Sequence, residues 1–132
     1  METTIDNDSF VLVNIGSRKK IDLKQIIMLQ ADINYTNVYL IDGSSILVSY
    51  TLKKLAMRFI EFEHFIRPNK SILLNMKYVT DFDGSFLQIS FPSGEVLKNT
   101  VVSRRKREFI AQRITDFTKD LKAREATFSC FD

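Results

Sequence analysis

The chain has 132 residues, of which 45% are hydrophobic and 27% charged, with a net charge of +3. These proportions fit one globular domain, and with Gly at 4, Pro at 2 and Cys at 1 they exclude a fibrous, disordered or disulfide-stapled chain. No apolar run approaches the roughly 20 residues that span a bilayer, and the stretch METTIDNDSF lacks the basic and apolar regions of a signal peptide. The expectation is a cytoplasmic protein without membrane insertion.

The first half reads as strands. Phe10–Ile15 is apolar and β-branched and stops at Gly16-Ser17. A basic turn, Arg18-Lys19-Lys20, leads through Ile21–Leu23 to a second strand at Ile26–Ala31. Asp32–Asn37 is rich in turn formers, and Val38–Ile41 is a third strand. Asp42-Gly43 is the strongest hairpin signal in the chain and joins that strand to Ser45–Tyr50.

Thr51 then looks like an N-cap. Leu52, Leu55, Ala56 and Phe59 follow at helical spacing, which ends the helix near Phe59–Glu61. Phe62–Asn69 is a mixed segment closed by Pro68, and Ser71–Asn75 is apolar between polar flanks. Tyr78–Phe82 is a further strand candidate. Ser85–Phe91 alternates, turns at Pro92-Ser93-Gly94 and returns as Glu95–Val102. Ser103 is placed to cap a last helix whose apolar side is Phe109, Ile110, Ile114, Phe117 and Leu121, with a loose tail at Thr127–Asp132. The fold class is mainly β with short helices: antiparallel sheets in layers or a small sandwich, and a C-terminal helix.

Little here supports catalysis. His64 is the single histidine and Cys130 the single cysteine, too few for a zinc site, and Cys130 lies near a chain end expected to fray, where a nucleophilic pair would lack the fixed geometry that catalysis needs. Phosphate-binding glycine loops and nucleophile elbows are absent, and Asp81 and Asp83 read as strand-end and turn residues before Gly84. No enzyme, no metal and no cofactor is expected.

The charge is uneven. Residues 1–66 carry a net −1 and residues 67–132 a net +4, with Arg104-Arg105-Lys106-Arg107 as the densest point. Three polar clusters flank strands, Asp32–Asn37, Arg67–Ser71 and Ser103–Arg107, and within them the candidate contacts are Asn34, Tyr35, Thr36 and Asn37; Arg67, Asn69, Lys70 and Ser71; Ser103, Arg104, Arg105 and Lys106. Arg and Lys suit phosphate and guanine, Asn suits adenine, and hydroxyls suit phosphate. Together at strand ends, the clusters are candidates for a shared DNA-binding rim. Tyr35 is also expected to pack into the core with its hydroxyl outward, and Arg67 to pair with a carboxylate inside the fold.

Order and spacing resemble the LytTR family, the LytR/AgrA-type DNA-binding domain of bacterial response regulators. Ile26–Ala31 followed by Asn34-Tyr35-Thr36-Asn37-Val38-Tyr39-Leu40 is similar to its strand–"NY"–strand. Ser49–Leu55 resembles its helix start, Phe65–Asn75 its "F-x-R-x-H-[RK]-S-x-x-[VL]-N" core, and Val102–Arg105 its closing "V-S-R-[RK]". The departures are Pro68 and Asn69 in the third motif, where the family usually has its histidine at Asn69, and Ala56 where an acid is common.

The resemblance implies an elongated antiparallel β-β-β fold. It implies one domain over 1–132, with the LytTR-like region at 15–115 and a C-terminal helical extension at 116–132. The domain would stand alone, without a receiver. Strand-end loops would enter successive major grooves: Asn34–Asn37 in one, Arg67 and Lys70 in a second with Asn69 beside them and Ser71 near phosphate. Arg105 would read a base in the third, with Ser103 alongside and Arg104 or Lys106 on the backbone. The implied partner is double-stranded DNA, bound by a homodimer on repeated sites. A protein-interaction module of the same fold that modulates another regulator is the alternative. Nothing in these residues identifies a histidine-kinase or membrane regulator as a partner.

Overall fold

The computed structural model describes residues 11–16 and 19–129. In chain order the elements are β1 (Leu12–Asn14), β2 (Lys20–Asp22), β3 (Ile26–Asp32), β4 (Tyr35–Leu40), β5 (Ser45–Val48), α1 (Leu52–Ala56), β6 (Phe65–Asn69), β7 (Ile72–Asn75), β8 (Val79–Phe82), β9 (Phe86–Ser90), β10 (Val96–Val101) and α2 (Arg107–Ser129). All pairings are antiparallel. They form three sheets: β1-β2, a central β5-β4-β3-β7-β6 and an outer β10-β9-β8. The mainly β class with a C-terminal helix is the fold the chain adopts.

The central sheet is apolar on both faces. One face packs Leu29, Val38, Leu40 and Leu73 against Val13 and Ile21 of the small sheet and against Leu52, Leu55 and Phe59. The other packs Ile27, Met28, Ile66, Ile72 and Leu74 against Leu87 and Ile89 of the outer sheet, with Val102 and Ile110. Two-sided burial explains why β3 opens as the unbroken run Ile26-Ile27-Met28-Leu29 rather than alternating. A register shift between Ile26 and Met28 turns the neighbours Ile27 and Met28 to the same face.

Several boundaries differ from the sequence reading. The turn formers of 32–37 are mostly strand: β3 runs to Asp32, β4 starts at Tyr35, and only Ile33-Asn34 bridge them. The burial of β4 alternates, with Thr36, Val38 and Leu40 inward, so a polar strand passes for a loop when composition alone is read. Ile33 has φ of 57°, the one non-glycine residue with positive φ among those described. For a β-branched residue this conformation costs roughly 1–2 kcal/mol.

Thr51 caps α1 as expected, its hydroxyl accepting from Lys54 N at 3.2 Å. The helix then tightens to a 3-10 turn at Met57–Phe59. Phe65–Asn69 becomes an edge strand, the position in a sheet that tolerates Pro68. Ser103 makes no side-chain cap: its N–H donates to Pro68 O, and a 3-10 turn at Arg104–Lys106 precedes α2. Residues 127–129, expected to be loose, continue α2, while 130–132, Phe10, Ser17 and Arg18 lie outside the described residues.

Candidate nucleic-acid interface

The three polar clusters meet at one end of the central sheet. β3 and β7 pair through Gln30 and Ile72, and Ala31 N donates to Ser71 O at 2.8 Å. The tip of the β3–β4 hairpin therefore lies beside the tip of the β6–β7 hairpin, Lys70-Ser71. Asn69 ties that second tip to the outer sheet: its Nδ2 donates to Thr100 Oγ1 at 3.0 Å and to Val101 O at 2.6 Å. Its Oδ1 accepts from Ser71 N at 2.8 Å, so each polar atom of the amide is engaged within the protein. Lys106 closes the link, donating from Nζ to Arg67 O at 3.0 Å. Burial, then the charges of Arg67 and Arg105, lower the Lys106 pKa below its ordinary value.

Exposure sorts the candidates. Asn34, Tyr35, Lys70, Ser71, Arg104 and Arg105 are exposed, and Asn37, Arg67, Asn69, Ser103 and Lys106 are half-buried. Thr36 is fully buried and its hydroxyl donates to Tyr50 O at 2.8 Å, which leaves it no free surface for a ligand. Tyr35 is not a core residue: it is 48% exposed, because Thr36 takes the inward position at that point of β4. Arg67 donates from Nη2 to Lys70 O at 3.0 Å, so the bond found for its guanidinium is to a carbonyl of its own hairpin rather than to a carboxylate.

The rim holds further cations. β5 delivers the chain back to the same end, where Thr36 pairs with Val48. α1 then crosses the sheet with Leu52 and Leu55 inward and Lys53 and Lys54 outward. Lys54 Nζ sits 4.4 Å from the centre of the Tyr50 ring, and Lys53 shares a hollow of about 520 Å³ with Arg67. The signal for this pair is Lys53-Lys54 one residue beyond a capping Thr51, and the segment 51–60 contains no acid. Carboxylates are also present at this end. Asp32 is exposed beside the first tip. Asp83 accepts from Phe86 N and Ser85 N, which with the nearby Arg107 charge lowers its pKa.

Exposed cations and amides on adjoining hairpin tips can hold phosphates and offer donors to base edges. The LytTr DNA-binding domain family model matches residues 16–122. The chain belongs to that family. Its matched LytTr region takes in the hairpin tips, α1 and most of α2. The chain also superposes on a solved LytTr DNA-binding domain of a methyl-accepting/DNA response regulator from Bacillus cereus. The TM-score is 0.55 at 17% identity, with 80% of this chain and 96% of that one covered. No curated protein matches. Among the described residues there is no receiver domain. Among the described residues no helix is long and apolar enough to cross a membrane.

Membership of a DNA-binding family makes a DNA-binding regulator the functional class.

Proposed function

We propose that this protein is a sequence-specific transcriptional regulator that lays its rim of strand-end loops across successive major grooves of duplex DNA, without catalysis. The observation that carries the reading is the convergence of three distant segments: Ala31 N and Ser71 O set the tip before 34–37 beside 67–71, and Asn69 and Lys106 tie 67–71 to the end of β10 and to 103–106. Lys70 and Arg105, exposed on separate segments, are assigned to bases. Arg104, Ser71 and the Lys53-Lys54 pair are assigned to phosphates. Asn34, Tyr35 and Asn37 complete the surface at the first tip. Arg67, Asn69, Ser103 and Lys106 act chiefly by holding the tips together, and Thr36 supports β4 from within.

Two copies on repeated sites would offset the modest contact area of one module, and the working compartment is the cytoplasm. One observation favours a second reading, a protein-interaction module that modulates another regulator. The Asn69 amide and Lys106 Nζ, and Nη2 of Arg67, donate to groups inside the fold rather than outward.

Selection from a random duplex pool decides between them. The regulator recovers a defined motif, repeated if two copies bind, and its affinity falls by about 0.9 log unit per log unit of salt for each phosphate held. An interaction module recovers no motif.

A further inference from the structure

Ile33 joins two features that seldom coincide. It is 89% exposed, the most open of the large apolar side chains described. It also holds φ at 57°, a left-handed conformation that β-branched side chains avoid. The first position of a two-residue hairpin loop with positive φ is ordinarily glycine, and asparagine also tolerates it. Here asparagine comes second, at Asn34, and isoleucine takes the strained place. With its side chain almost wholly in solvent, Ile33 gains little packing inside the protein to offset that conformation.

The location gives the side chain an outward use. Ile33 is the tip of the β3–β4 hairpin, next to Lys70-Ser71, on the rim assigned to the major groove. The apolar group that the major groove presents to a protein is the C5-methyl of thymine. We propose that Ile33 is a specificity-determining residue that buries a thymine methyl, adding apolar base readout to a rim otherwise built from cations, amides and hydroxyls. The proposal rests on the function proposed above.

The test uses the full chain and the duplex motif recovered from the random pool, with each thymine replaced in turn by uracil. Uracil keeps the base-pairing edge and lacks only the methyl. Burial of one such group corresponds to about a fourfold change in affinity. The parent is expected to lose about that factor at one thymine, and Ile33→Gly to lose nothing at the same position. Glycine adopts the turn freely, so this variant should melt no lower than the parent; Ile33→Asn is a second variant that tolerates the same φ.

A parent indifferent to uracil at every position overturns the inference and leaves the DNA-binding reading intact. So does an Ile33→Gly variant that keeps the parent's full loss. A parent that recovers no motif removes both.

Discussion

The side-chain amide of Asn69 donates to the carbonyl of Val101 at 2.6 Å, joining an edge strand of the central sheet to the last residue of β10. The same nitrogen reaches Thr100 Oγ1, and the amide oxygen takes the Ser71 N–H. One short side chain thereby fixes the tip of the β6–β7 hairpin against the end of β10. At a position where its family usually carries histidine, an amide is well suited to bridging, because it supplies two donors and an acceptor and does not titrate.

Asn69→Ala should therefore cost stability as well as DNA affinity. Three partners lose a bond, and with partial exposure the loss is roughly 1–3 kcal/mol. Urea denaturation reads it as a lower midpoint at unchanged slope. Weaker DNA binding with no shift in midpoint would show that Asn69 acts on the ligand and not on the fold.

Arg105 is exposed and, among the described residues, makes none of the internal bonds that occupy its neighbour Lys106. Arg105→Ala should weaken binding to the selected motif by roughly 1–3 kcal/mol and leave binding to random duplex almost unchanged. Lys106→Ala should weaken both duplexes alike and also lower the melting temperature, because it removes the bond to Arg67 O. Titration of both variants against both duplexes separates base reading from bracing.

Lys53 and Lys54 add charge to the rim without forming part of a hairpin tip. Replacing both with alanine should reduce the magnitude of the salt slope by about 1.8 units, close to 0.9 for each phosphate released. The selected motif should be unchanged, since phosphate contacts carry no direct sequence information. An unaltered slope would take α1 out of the interface.

His64 makes stability sensitive to mild acid. Burial first, and the Lys77 charge second, hold its imidazole below the ordinary value of 6.5. Below that value the unfolded chain takes up a proton that the folded chain refuses, so stability falls as pH drops through 6.5 toward the depressed folded-state value. The decline should flatten below the depressed folded-state value. His64→Gln should remove this portion of the pH dependence, read from urea midpoints across the range. Glu63, Asp116 and Asp120 line the same cleft of about 690 Å³.

Much of the sheet was legible. Asp42-Gly43 gave its hairpin, with Gly43 at φ of 92°, because a local turn signal sat between two alternating runs. Strand β4 was harder, since Tyr35, Thr36 and Asn37 are turn formers by type and strand residues by pairing: Tyr35 opposes Asp32 and Thr36 opposes Ala31. Long-range partners decide such cases, and a linear pattern does not display them. Pro68 concealed β6 in the same way, because its tolerance depends on being at an edge.

The site divides along a similar line. Residue type and the family resemblance picked out the exposed cations. Whether a polar side chain points outward was not readable: Thr36 hydrogen-bonds inward to Tyr50 O, and Asn69 reaches 31 and 32 residues along the chain. Ile33 falls within the turn-rich segment 32–37, where its residue type reveals neither the positive φ nor the exposure that set it apart.

β3 and β7 lie at the middle of the central sheet, each flanked by a strand on either side and covered by packed side chains above and below. Amide protons in such a setting are released to deuterated solvent only when the whole domain opens. The two hairpin tips are carried on these slowest-exchanging strands. On the proposed function, a double helix meeting them would encounter a template set in advance, and the accommodation between the two would fall to the helix, through bending and local changes in groove width.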